Sequence, residues 1–97
     1  MNRFLYVLNG QKMNNPKETH EYLKQRFNFP DYYGKNLDAL YDLLSTFNDD
    51  GILNIVVIQT SELFDRQPEY GEKLIQTLLD ASNANYKIKV FISGLHV

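Results

Sequence analysis

A chain of 97 residues has room for one hydrophobic core, and its 43% hydrophobic and 13% aromatic content can fill it, so one folded domain over residues 1–97 is expected and disorder is not. The absence of cysteine removes disulfides, thiolate metal sites and cysteine nucleophiles together. The formal net charge of −2 argues against general nucleic-acid binding, yet it conceals a split: Arg3, Lys12, Lys17, Lys24 and Arg26 outnumber Glu18 and Glu21 in residues 1–26, whereas residues 38–50 hold Asp38, Asp42, Asp49 and Asp50 and no base.

The start, "MNRFLYVLNGQK", has too short an apolar run for a signal-peptide core, and nothing in the chain approaches a membrane span. A cytoplasmic location without membrane association is expected. The same stretch predicts the first strand: Phe4, Tyr6 and Val7 are β-prone, and Asn9-Gly10 is a turn signal. In "NNPKETHEYLKQRF" the period changes. Asn15 as cap, Pro16 at the first helical position and Glu18 three residues after the cap predict a helix start, with Tyr22, Leu23 and Phe27 as its apolar stripe and Pro30 as its limit.

A second helix is predicted from a cap at Asn36 to about Phe47, before the turn cluster "NDDG". Next, "ILNIVVIQ" is almost entirely apolar and β-branched, which predicts a strand buried on both faces of a parallel sheet. Parallel pairing requires helical crossovers, and "SELFDRQ" and "PEYGEKLIQTLLDASNAN" supply them, with Ser61 and Pro68 as start signals and Leu74, Ile75, Leu78 and Leu79 at helical spacing. "YKIKVFIS" closes the chain as a third strand, Lys87 and Lys89 alternating with Ile88 and Val90. The expected fold is α/β, a small three-stranded parallel sheet packed against about four helices.

The second helix carries the chemistry. At about 100° per residue, Leu37, Leu40, Leu43, Leu44 and Phe47 share one side, Asp38, Asp42, Ser45 and Thr46 the other, and Tyr41 lies at the boundary. Exposed acids on an amphipathic helix are ordinarily a solvated face. Here, however, Asp38 and Asp42 are one turn apart, a like-charge spacing that destabilises a helix by roughly 0.2–0.5 kcal/mol. No base follows before Asp50, and Tyr32-Tyr33-Gly34 places amphipathic rings beside the acids, an interface composition. Of the two rings, Tyr33 reads as core.

The stretch "FPDYYGKNLDALYDLL" closely resembles the signature of barstar and its relatives, intracellular protein inhibitors of secreted bacterial ribonucleases, at Pro30, Tyr32, Tyr33, Gly34, Asn36, Leu37, Asp38, Ala39, Leu40 and Asp42. Elsewhere the resemblance lies in element order and length, with a looser match from about Leu74 to Ser93. It implies that the helix and the loop before it plug a ribonuclease active site, with acids where RNA phosphates would lie. Asp42 would then be the central anion, Asp38 a second acid and Tyr32 a ring against the catalytic histidine. Gly34, Asn36, Leu37, Ser45 and Thr46 would fill in around them, and Asp80 would stand where relatives carry a further contacting glutamate. Tyr41 and Phe47 depart from the barstar pattern by replacing tryptophans, and Lys35 departs by replacing an acid.

The resemblance implies a basic, extracellular-type, guanyl-preferring ribonuclease as protein partner, a monomeric free state and no cofactor. A barstar-like module with a non-ribonuclease partner is the alternative. Catalysis by the Asp38–Asp42 pair is disfavoured, because no nearby histidine, second cleft-forming domain or Gly-rich loop supports it. His20 and His96 each read as surface or capping residues and not as ligands, and no metal site is expected.

Overall fold

In the computed structural model, which describes residues 3–94, three parallel strands lie side by side in chain order. They are β1 (Arg3–Asn9), β2 (Ile52–Ile58) and β3 (Ile88–Ile92). Helices α1 (Pro16–Phe27) and α2 (Leu37–Ser45) connect the first two, and α3 (Thr60–Arg66) and α4 (Pro68–Ala84) connect the last two. The α/β class, the three-stranded parallel sheet and the four helices all agree with expectation. His96 lies outside the described residues.

The caps explain where the helices begin. Asn15 Oδ1 accepts the Glu18 N–H at 2.9 Å, and Asn15 Nδ2 donates back to Glu18 Oε2 at 3.0 Å, so α1 starts with a reciprocal cap ahead of Pro16. It stops at Asn28, which adopts the left-handed conformation (φ 56°) before Pro30 is reached. For α3 the expected start at Ser61 is displaced. The helix begins at Thr60, after a left-handed Gln59 with no side-chain cap, and the Thr60 hydroxyl instead donates to the Ser93 carbonyl at 2.5 Å. This tertiary bond ties the first residue of α3 to Ser93, just past β3, without capping the helix N–H groups. Between β1 and α1 a short 3-10 turn, Gly10–Lys12, brings Gly10 against the Gln59 carbonyl so closely that a Cβ would collide with it.

The parallel register aligns Phe4, Leu53 and Ile88 in one row, Tyr6, Ile55 and Val90 in the next, and Leu8, Val57 and Ile92 in a third. Alternation along each strand sends these rows to one face, where Leu40, Leu44, Leu74 and Leu78 from α2 and α4 join the core. The expectation that β2 is buried on both faces is not met. Leu53, Ile55 and Val57 are buried, whereas Ile52, Asn54, Val56 and Ile58 are only half-buried, and on their side Leu5 is 66% and Phe91 53% exposed. Strand order explains the difference. Right-handed crossovers that step in the same direction, from β1 to β2 to β3, place both helix pairs on the same face. The β-branched residues of the other face favour the strand without being covered by a helix.

Candidate functional site

The loop from Pro30 to Asn36 and the exposed face of α2 form one continuous surface, and local chemistry sets its shape. The Tyr33 N–H donates to the Pro30 carbonyl at 3.0 Å, which tightens the loop into a turn. Its two adjacent tyrosines are thereby sent to opposite environments: Tyr32 is 82% exposed and Tyr33 only 5%. Asn36 then caps α2, its Oδ1 accepting the Ala39 N–H at 2.7 Å and its Nδ2 donating to the Gly34 carbonyl at 3.3 Å. Gly34 stands so near the first turn that a Cβ there would lie 3.3 Å from Ala39 Cβ. Lys35 holds a left-handed backbone (φ 54°) and is exposed.

On α2, Leu40 and Leu44 are buried and Leu37, Leu43 and Phe47 pack partly against the core, while Asp38 and Asp42 point to solvent. Among the described residues neither carboxylate has a hydrogen-bond or ion-pair partner. Asp38 lies in the first turn, where the helix dipole favours an anion. Asp42 lies toward the C-terminal end, where the dipole opposes one. Its backbone carbonyl is engaged, accepting the Thr46 hydroxyl at 2.6 Å and the Ser45 hydroxyl at 3.4 Å, so these two side chains fold back on the helix end. Tyr41 is half-exposed at the boundary of the apolar face.

Tyr32, Gly34 and Asp42 line one shallow depression, together with Tyr33, Ala39 and Leu43. Asp38, Tyr41 and Ser45 share α2 with Asp42, and Thr46 follows its last residue, but none of these four lines that depression. Asp80 is exposed on α4, which packs against α2, and accepts a hydrogen bond from Gln76 Nε2 at 2.9 Å. It lies outside the depression as well.

Two anchors beneath this surface play roles that the sequence did not reveal. Asn85, at the end of α4, donates from Nδ2 to the carbonyls of Leu44 (3.1 Å) and Phe47 (2.8 Å), and its Oδ1 accepts the Lys87 N–H at 3.0 Å. The C-terminal carbonyls of α2 therefore find donors 38 and 41 residues away in sequence. The second anchor is His20, which corrects the expectation of a surface or capping residue. His20 is 1% exposed; its Nδ1 lies 2.6 Å from the Tyr33 hydroxyl and its Nε2 lies 2.5 Å from the Tyr70 hydroxyl. Burial lowers the pKa of His20 and raises that of both tyrosines, with Tyr70 adding to the shift at Tyr33. The available signal was periodicity, since His20 is three residues before Leu23 and seven before Phe27, on the apolar stripe of α1.

No group of three or more His, Cys, Asp or Glu among the described residues is placed to hold a metal ion, and no described helix is long and apolar enough to cross a membrane. The family model described as barstar (barnase inhibitor) matches residues 3–93. A curated protein of Bacillus subtilis (strain 168), named "Putative ribonuclease inhibitor YrdF", is 44% identical over 43 residues, a stretch covering 44% of this chain and 47% of that protein, about half its length.

Proposed function

The chain belongs to the barstar family, whose model spans residues 3–93 of it, and on that premise we propose that it inhibits a ribonuclease by occupying the enzyme's active site with α2 and the preceding loop. The observation that carries the proposal is the pairing of Tyr32 and Asp42 across one depression. Both are exposed, neither has a side-chain partner among the described residues, and Asp38 stands one turn away. A ribonuclease holds phosphate with cationic side chains in a cleft, and a rigid helix presenting carboxylates and rings fits such a cleft at little ordering cost. The site residues of this reading are Tyr32, Gly34, Asn36, Leu37, Asp38, Tyr41, Asp42, Ser45, Thr46 and Asp80. The protein performs no chemistry in it: one monomeric domain in the cytoplasm meets a basic, guanyl-preferring enzyme of the secreted type and excludes RNA.

Titration of the protein into a guanyl-preferring microbial ribonuclease, with RNA cleavage as the readout, tests this directly. Inhibition is expected to be stoichiometric and competitive with RNA. Association is expected to slow as salt rises from low to physiological strength, because salt screens the attraction between the acidic face of α2 and a basic cleft. Full RNA cleavage at excess protein would reject the target. Capture of one non-nuclease partner from the host would then favour the alternative, a barstar-like module for another protein.

A further inference from the structure

The buried contact of His20 with two tyrosines lies beneath the binding surface, which it reaches only through Tyr33, and it joins three elements. Tyr33 belongs to the loop that carries Tyr32, His20 to α1 and Tyr70 to the first turn of α4. A neutral imidazole offers one acceptor nitrogen and one N–H donor, so the two hydroxyls must play different roles. Exposure decides which is which. The Tyr33 hydroxyl is buried and has no other partner among the described residues, so its proton must go to the ring; the Tyr70 side chain is half-exposed, so its proton can reach water while its oxygen accepts from the ring.

We propose that Tyr70 and His20 are positioning residues for the inhibitory loop, acting through a directional relay in which the Tyr33 hydroxyl donates to His20 Nδ1 and His20 Nε2–H donates to the Tyr70 hydroxyl. The relay holds Tyr33, and with it the adjacent Tyr32, in the binding shape before the ribonuclease arrives. Ring packing supports the same placement: Tyr33 sits 4.7 Å from Phe29 and 5.8 Å from His20, and His20 5.9 Å from Tyr70, centroid to centroid. A preorganised loop spares the complex the ordering cost that a loose one would incur. The inhibitory role of the loop rests on the function proposed above, whereas the relay itself does not.

The test uses Tyr70→Phe, which removes one oxygen at a half-exposed position and keeps the ring. Amide hydrogen exchange at the loop, above all at the Tyr33 N–H bonded to Pro30, is expected to quicken roughly 2- to 10-fold, the span of one ordinary hydrogen bond, with the amides of β2 unchanged. Affinity for the ribonuclease is expected to fall by a similar factor. The imidazole nitrogen resonances of the unmodified protein should show Nδ1 as the bare nitrogen and Nε2 as the protonated one. His20→Gln, which keeps an acceptor and a donor, should retain more loop protection than His20→Leu. Unchanged loop exchange in Tyr70→Phe, or the opposite tautomer, would overturn the relay. If the unmodified protein binds no ribonuclease, only the inhibitor reading fails, and the exchange data decide the relay alone.

Discussion

Replacing Asp42 with alanine separates a carboxylate that serves binding from one that serves the fold. In the free protein Asp42 is exposed and its carboxylate has no partner among the described residues; what it has is Asp38 one turn earlier and the negative end of the α2 dipole nearby. Relief of the like-charge pair contributes roughly 0.2–0.5 kcal/mol. Relief of the dipole contributes roughly 0.3–1 kcal/mol at low salt, and alanine's higher helix propensity adds a few tenths more. Asp42→Ala is therefore expected to be as stable as the parent or up to about 1 kcal/mol more stable, once screening of these exposed charges is allowed for. Binding should move the other way. Truncation leaves cationic groups of the ribonuclease buried without a counter-charge, and affinity should fall by roughly 2 kcal/mol or more, the range of an interface hot spot. A urea melt and a ribonuclease titration on the same variant read both quantities. A stability loss above about 1 kcal/mol would show that the carboxylate is structural, and unchanged binding would return α2 to a solvated face.

Tyr32→Ala should weaken ribonuclease binding by roughly 2 kcal/mol or more while the urea midpoint stays nearly fixed, because the ring is exposed in the free protein. A lost fold would show instead that the ring supports the core. His20 makes stability depend on acid: burial lowers its pKa from the ordinary 6.5, so the unfolded chain takes up a proton before the folded one does. This contribution to stability is complete above pH 6.5 and is lost as pH falls from 6.5 toward the lower folded value, by at most about 1.4 kcal/mol per pH unit. Urea midpoints across that window should show the loss in the parent and a smaller one in His20→Gln. Asn85→Ala should cost about 1–3 kcal/mol in the same melt, because it strips donors from the Leu44 and Phe47 carbonyls at the end of α2. A change within experimental error would mean that water replaces the amide there.

Much of the molecule was legible because its signals are local. Asn15 and Asn36 cap α1 and α2 as expected, Pro68 opens α4, and the three strand segments pair in parallel because only helical patterns lie between them. The division of α2 into a buried leucine side and an acidic side follows from helical period alone, and so does the Asp38–Asp42 spacing. Tertiary structure decided what depends on distant partners. "ILNIVVIQ" reads the same whether one or both faces are covered; the common direction of the two crossovers is what leaves Leu5 and Phe91 exposed. Helical period places His20 on the apolar stripe of α1, but only Tyr33 and Tyr70, 13 and 50 residues later, supply the hydroxyls that meet its ring, and the Thr60 hydroxyl finds its acceptor at Ser93, 33 residues on. Caps and periodicities are satisfied within a few residues, so composition and spacing reveal them, whereas a buried polar group is settled only by the atom that meets it after the chain has closed on itself.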